Sequence, residues 1–552
     1  MKSLYKSLLW ISVLLLAGCE LDLEPETTFT DKSFWKTETD LRGACNRLYN
    51  LLGGFSHDTR SDELVKTSSD DVSNGNWTVP STSGSWTDPY YRIFTANNII
   101  GKGEKADIDE AVKKRWLAEA YFFRAYYHFE LVQKYGDVPL MLKAIDNTED
   151  PLLYSARTPR EEVIQQCYGD LDFAAQWLPK ISNLSTADWG RVSRSAALAL
   201  KSRIGLFEGT FGKYHGLGNN YRDHLKVAVD AAGLVVQEGE HSLYANFQKL
   251  FLFEGEGRQN RENIFVKIYG PNGEGTVTHG NSRQMENLVS VTRQMVDQFL
   301  YSDGLPREKT SLRISPETSF NDVFANRDPR LSMTVYQLGE DAYKGAYVPF
   351  GNQHGNGYSL KKGFLLSEWT TVSKETIDKM LIRYAEVLIS YAEALYEYNG
   401  SITDDQLDLT VNALRGRVGF NTRLTNDFVT ANGLDMREEI RRERTIEMLD
   451  EGFRYNDIIR WKIAENVLPV DILGAKYVDG ESSKQRSDLA NRLTDANGYL
   501  NGKFVYGEPD IYVIEIAATR KFDPARDYLY PIPLNEIALS GGVVVQNPKW
   551  DE

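Results

Sequence analysis

The sequence predicts a mainly α-helical protein, built from stacked helix pairs and interrupted by one long loop-rich insertion. Three observations carry that expectation. Several long stretches place large aromatics and alanines at helical spacing. Residues 255–375 instead concentrate Gly, Asn, Ser and Pro. After the opening residues, no stretch approaches the 18 or so apolar residues a membrane-spanning helix needs.

The first stretch is of a different kind. Lys2 and Lys6 give a short positive region, and "LLWISVLLL" (8–16) is apolar but too short to span a bilayer. It reads as an export signal (1–18) that ends at Leu16-Ala17-Gly18-Cys19. The pattern resembles a bacterial lipobox, which implies cleavage before Cys19 and acylation of its thiol, with palmitate or a similar chain. Several acyl chains anchor where one would hold only marginally. Residues 19–30 form an acidic tether with Glu20, Asp22, Glu24, Glu26 and Pro25. Those acids resemble the signal that sends lipoproteins to the exterior of the outer membrane.

Residues 31–552 read as one domain. Its helical scaffold covers about 31–250 and 376–465, the insertion about 255–375, and a C-terminal segment 466–552. In "KKRWLAEAYFFRAYYHFELVQKYGDVPL" (113–140), Trp116, Ala120, Phe123, Tyr127 and Leu131 share a helical face, and Gly136 and Pro139 stop the helix. Further helices are expected over 193–211, 223–244 and 377–398. The last is placed by Leu381, Tyr384, Leu388, Tyr391 and Leu395, with Ala385, Ala392 and Ala394 admitting a neighbour. Large aromatics alternating with Ala is how tetratricopeptide-like helix pairs pack, although no strict 34-residue repeat is visible. Each pair needs its neighbour to bury its apolar face, so one continuous unit is expected. In the run 437–461, Glu438 and Arg442 stand at i,i+4, an ion-pair pattern, and Trp461 packs at its end. The insertion reads as ordered loops with short strands. The segment 522–550 is punctuated by Pro and closes on a packing Trp550.

The chemistry of the chain narrows its function. A net charge of −15 argues against nucleic acid. The seven His are isolated with no HxxxH, and there is no nucleophile elbow, Walker loop, dinucleotide fingerprint or EF-hand spacing. "GPNGEG" is only a loop. Cys45 and Cys167 fit buried free thiols, with a disulfide between them as the alternative. Aromatics make up 12% of the chain, including 30 Tyr and 10 Trp, which suits a core and also a sugar-binding surface.

Eight stretches, read together, resemble one family. They are "FWKTETDLRGACNRLYNLL" (34–52), "EAYFFRAYYHFELVQKYGDVPL" (119–140), "MVDQFLYSDGLP" (295–306), "NRDPRL" (326–331), "LIRYAEVLISYAEAL" (381–395), "VNALRGRVGF" (411–420), "IRRERTIEMLDEGFRYNDIIRW" (440–461) and "YLYPIPLNEIAL" (528–539). In content and order they resemble the SusD/RagB lipoproteins of Bacteroidetes. The resemblance implies a tetratricopeptide-like scaffold whose irregular insertion forms the ligand face. It also implies a non-enzymatic surface protein that captures oligosaccharide as the lid of a SusC-like TonB-dependent transporter.

The family's ligand residues lie on variable loops, so the candidates come from chemistry. Sugar rings have apolar faces ringed by hydroxyls, and bind to flat aromatics beside hydrogen-bonding side chains. The loop 68–86 offers Asp70, Asp71, Asn74, Asn76, Trp77 and Trp86. The insertion offers His279, Asn281, Arg283, Tyr358 and Trp369. Trp77 is the leading platform and Trp369 the next. Trp86 leads into a helix start, which favours packing. No cofactor is required; a structural calcium on loop acids is possible, and the Cys19 lipid is the one covalent group expected. The alternatives are a peptide ligand, as for RagB-like members, a surface glycoside hydrolase, and a pure protein-binding scaffold.

Overall fold

A capping box starts the first helix. The Asp40 amide donates to Thr37 Oγ1 (3.2 Å), and the Thr37 amide donates to the Asp40 carboxylate (2.9 Å). The computed structural model describes residues 34–145, 147–218, 220–272, 275–351 and 355–551. Cys19, the export signal and the acidic tether lie outside the described residues.

Helix α1 (Glu38–Asn50) leads to α2 (Gly84–Gly103), α3 (Glu110–Tyr135), α4 (Arg160–Trp177), α5 (Arg194–His215) and α6 (Tyr221–Glu238). In the loop-rich part comes α7 (Asn281–Leu288), and then α8 (Tyr384–Asn399), α9 (Met436–Glu447) and α10 (Arg454–Arg460). Each long helix packs on its neighbour in sequence, α2 on α3, α3 on α4, α4 on α5 and α5 on α6. Helix α8 then closes on α6, α5 and α9. This is the tetratricopeptide-like, mainly helical fold, with 47% helix.

Helix α3 is central, and its composition says why. Trp116, Ala120, Phe123, Tyr127 and Leu131 are all buried, as the spacing predicts, and so are Leu117, Phe122 and Val132 on other faces. A helix that is apolar nearly all round is surrounded by its own protein. Asp109 caps its start, accepting from the Ala111 and Val112 amides at 3.0 Å, and Gly136 ends it at φ 72°. Between α5 and α6 the approach is closer still. A Cβ on Gly205 would stand 2.7 Å from the His224 carbonyl oxygen, and one on Gly209 would stand 2.6 Å from Leu225 Cγ. Cys45 and Cys167 are buried free thiols in this scaffold.

Two helical expectations are corrected. The helix expected over 223–244 ends at Glu238, where Gly239 (φ 67°) caps it, and 239–244 is irregular. Residues 377–398 are not helical throughout: Lys379–Arg383 is a strand, paired antiparallel with Asn263–Lys267, and the helix begins at Tyr384. Leu381 fits the helical period by coincidence, and five residues are too few to reveal a period of two. Among the described residues every sheet has only two strands. The loop-rich part has its own core, with Val291, Phe320, Leu331, Tyr347 and Tyr358 at its centre.

The charged run is also corrected in detail. Arg441 pairs with Glu438 and Arg442 with Glu439, both at 3.4 Å and one residue out of the expected Glu438–Arg442 pairing. The stronger pairs are buried. Arg330 reaches Asp328 (2.7 Å) and Glu443 (2.6 Å), while Arg383 reaches Glu262 (2.9 Å), Glu447 (2.7 Å) and Glu451 (2.7 Å). Burial opposes the charge on Glu447, but the guanidinium groups of Arg417, Arg383 and Arg330 outweigh it and hold its carboxyl well below the usual range. The network ties α9 to the strand before α8 and to the loop-rich part. Trp461 is 2% exposed and donates from Nε1 to Glu393 (2.6 Å), a packing role as expected.

Candidate functional site

Helix α7 places one of the candidate constellations. Its first-turn amides, Ser282 and Arg283, donate to the buried Glu375 carboxylate at 2.7 and 3.2 Å, which satisfies groups a helix start leaves open. Thus anchored, Arg283 reaches back across Trp369, the last residue of the short helix Leu366–Trp369. The guanidinium carbon lies 3.8 Å from the ring centroid, and Nε donates to the Trp369 carbonyl (2.8 Å). The indole Nε1 donates to Glu286 (2.6 Å), whose other oxygen is 3.0 Å from the Lys344 ammonium. Tyr343 stands beside the indole, with ring centroids 6.0 Å apart and planes tilted by 36°.

Trp369 and Arg283, proposed independently from the sequence, are therefore one unit. Trp369 is half-buried, held by a hydrogen bond at its nitrogen and a cation over its ring. A cation–π contact of this kind contributes about 0.5–2 kcal/mol. An indole fixed in this way, beside an arginine, a lysine, a carboxylate and a tyrosine, can offer a sugar ring both a flat apolar contact and hydrogen-bond partners. Glu286 and Glu375 escaped sequence reasoning. Glu286 lies three residues after Arg283, a helical neighbour, and that spacing was the available signal.

The loop 68–86 is more tightly packed than its composition suggests. Asp70 caps the short helix Asp71–Asn74 by accepting from the Val72 amide (2.9 Å). Gly75 (φ 75°) lies so close to the C-terminal segment that a Cβ there would meet the Lys521 carbonyl at 2.1 Å. Asp71 and Asn76 are exposed. Trp77 is half-buried, edge-on to Tyr530 (4.7 Å) and to Trp550 (4.8 Å), so its ring is engaged in joining this loop to the C-terminus.

Two candidates prove to be core. Tyr358 is 1% exposed and its hydroxyl receives a hydrogen bond from Arg293 (3.3 Å), which leaves no face for a ligand. Its Gly-rich surroundings suggested an open loop, but they let the chain fold back over the ring. Trp86 is 4% exposed and packs against Tyr90 and Tyr135 within α2 and α3, on the wall of an apolar groove. Among the described residues no group of three or more His, Cys, Asp and Glu is placed to hold a metal.

Two further candidates, Asp70 and Asn281, line cavities. Asp70 stands on the wall of a polar cavity of about 500 Å³ between the helical scaffold and the segment 56–60. Asn281 lines an adjoining cavity of about 100 Å³, and His57, Lys379 and Glu451 belong to both. Burial works against a charge on His57, but Asp450, 2.9 Å away, keeps its pKa above the ordinary value. Asp378, in the smaller cavity, is pushed up to about 7 by burial. His279 is enclosed between Phe55 and Tyr269, with ring centroids 4.4 and 4.6 Å away.

Comparison with known proteins places this architecture. A family model described as "Starch-binding associating with outer membrane" matches residues 53–206. Among the described residues no helix is long and apolar enough to cross a membrane. SusD-like protein P38 of Formosa agariphila is 25% identical over 491 residues, covering 84% of this chain and 92% of the relative. A SusD-like protein of Bacteroides ovatus is 24% identical, over 98% of this chain and 96% of its own. Among solved structures, a SusD-like carbohydrate binding protein from Bacteroides fragilis superposes with a TM-score of 0.75 and 25% identity, covering 92% of this chain and 99% of that one. The model of the SusD family itself matches residues 252–550, more than half of the sequence, and the chain belongs to that family.

Proposed function

We propose that this protein is a lipid-anchored, outward-facing glycan-binding protein of the outer membrane, and that it passes captured oligosaccharide to a SusC-like TonB-dependent transporter without hydrolysing it. The observation that carries the binding role is the Trp369 indole, fixed by Arg283 and Glu286 beside Tyr343 and Lys344. It meets the requirement for stacking and hydroxyl recognition together. Support also comes from the carbohydrate-binding description of the Bacteroides fragilis structure. Anchoring at Cys19 and delivery to the transporter rest on the lipobox pattern and the family resemblance.

Calorimetric titration tests the reading. Soluble protein from Glu20 onward is titrated with plant, microbial and host oligosaccharides, as wild type and as Trp369→Ala. Saturable heat for at least one glycan, weakened in the variant and without hydrolysis products, is the expected result. Binding unchanged in Trp369→Ala removes the platform. No heat with any glycan, but saturable heat with peptides, replaces the ligand class.

A further inference from the structure

The 500 Å³ cavity carries chemistry that scaffold packing does not use. Tyr126, Glu130, Gln133 and Lys134 of α3 line it. Their spacing, i, i+4, i+7 and i+8, puts all four on one face of a helix otherwise buried in apolar contact. Most charges on the opposite walls are already cancelled. Arg60 is held by Asp58 (2.7 Å), Arg203 by Glu386 (2.6 Å) and Arg460 by Glu393 (2.6 Å).

Lys134 is different. Among the described residues its ammonium has neither a hydrogen bond nor an ion pair, and burial holds its pKa below that of an ordinary lysine. Lys379, also on the wall, donates to the Gly54 carbonyl (2.6 Å) and lies 5.7 Å from the Phe55 ring centroid, with no ion pair among the described residues, and burial lowers its pKa as well. Lys66 is exposed and lines the same cavity with no ion pair. Glu130, the acid on the α3 face, already has Arg92 at 3.9 Å. The Tyr126 hydroxyl and the Gln133 and Asn456 amides have no partners among the described residues. Asp70 is a further carboxylate on the wall, accepting from the Val72 amide and without an ion pair among the described residues. Lys66, Lys134 and Lys379 outnumber it, so the cavity keeps an excess of positive charge beside unused neutral hydrogen-bonding groups.

Lys134 is half-buried. An ammonium partly withdrawn from water is disfavoured unless an anion or dense hydrogen bonding meets it. The cavity's volume lies within the range of small-molecule sites. We propose that it is a second ligand site, selective for a sugar unit that carries a negative charge, with Lys134 as the counter-ion. Tyr126, Gln133 and Asn456 then bind the ring hydroxyls. The charged group is a uronate carboxylate or a sulfate ester, since both present the oxyanion that Lys134 lacks. The sugar ring rests on the glycan-binding reading above, whereas the anion recognition rests on the cavity itself.

The test uses the full mature protein in detergent, titrated with glucuronate, glucose 6-sulfate, glucose and inorganic sulfate. Wild type is expected to bind at least one charged sugar about tenfold or more tightly than glucose, and inorganic sulfate to compete. Which charged sugar binds assigns the carboxylate or the sulfate ester. Lys134→Met should reduce charged-sugar affinity about tenfold or more while leaving neutral-oligosaccharide binding and the thermal midpoint in place. If that variant does not fold, Gln133→Ala and Asn456→Ala should each weaken the charged sugar. Equal binding of charged and neutral sugars, or charged-sugar binding unaffected by these variants, overturns the proposal. Trp369→Ala separates the two readings. Loss of neutral glycan binding there, with no effect of Lys134→Met, sustains the platform and removes this site. Loss of charged-sugar binding in Lys134→Met alone does the reverse.

Discussion

The Arg283 guanidinium covers the Trp369 ring at 3.8 Å from its centroid, and its Nε bonds the carbonyl of the same residue. One side chain thus fixes both the ring and the backbone beneath it. Arg283 therefore holds the platform while the indole makes the contact. Trp369→Ala is expected to lower glycan affinity at least ~tenfold, about 1.4 kcal/mol. Arg283→Lys should also weaken binding, since an ammonium cannot stack flat on the indole while bonding the carbonyl. Calorimetry on both variants checks this; a Lys variant as tight as wild type would assign Arg283 no positioning role.

The buried network around α9 makes a stability prediction. Arg383 faces three carboxylates, Glu262, Glu447 and Glu451. Arg383→Met fills the space but leaves those acids without their shared cation. Removing one partner of a buried pair costs about 3–5 kcal/mol. The midpoint of urea unfolding should fall accordingly with an unchanged slope. A loss below ~1 kcal/mol would mean that Arg417 and Arg330 neutralise the cluster unaided.

The contact of α5 with α6 gives a third. Gly209→Ala places a methyl 2.6 Å from Leu225 Cγ and 2.9 Å from the Leu225 nitrogen, whereas Gly205→Ala places one 2.7 Å from the His224 oxygen and 2.8 Å from the Ala228 nitrogen, backbone atoms alone. Overpacking of this kind costs about 1–3 kcal/mol. Both variants should unfold at lower temperature, and Gly205→Ala lower than Gly209→Ala. The opposite order would place the flexibility in the backbone rather than in Leu225.

These cases also separate what the sequence states from what it hides. Helix α3 was legible because one pattern, aromatics and alanines from Trp116 to Leu131, extends over many turns and ends at a glycine. The strand Lys379–Arg383 was not, because five residues adjoining a strongly periodic helix take on its period. Trp369 and Arg283 were legible as residue types, but their union depends on Glu375 capping α7 from 92 and 93 positions away, through its hydrogen bonds from Arg283 and Ser282. Tyr358 failed as an open platform because composition marks a loop as polar without saying whether the chain folds back over its aromatics. Lys134 was hidden for the converse reason: it lies on a helix whose dominant signal is core.

The last prediction concerns acid. His128 is 1% exposed on α3, neutral, with Nδ1 donating to the Arg124 carbonyl (2.9 Å) and Nε2 accepting from the Met141 amide (3.3 Å). Burial pushes its pKa down to about 3, against 6.5 for an ordinary histidine. The unfolded chain therefore takes up a proton that the folded chain refuses. Its share of stability is complete above pH ~6.5 and is lost progressively as pH falls toward 3. His215, pushed by burial to about 4, adds to the same slope, whereas Asp378, raised by burial to about 7, opposes it. Glu393 joins only below about 4.5, because burial is outweighed by Arg460 and its carboxyl titrates at about 2. In the window from pH 6.5 to 4.5 the two histidines thus work against Asp378 and against the carboxyls of Glu63, Glu256, Glu439 and Glu536, which burial also raises. His128→Gln keeps a donor and an acceptor but cannot take up the proton, so its stability should fall less steeply across that window. Urea midpoints at pH 7, 6, 5 and 4.5 measure it. Parallel curves for variant and wild type would show that His128 takes up its proton equally in both states, and that the acid sensitivity of the fold comes from elsewhere.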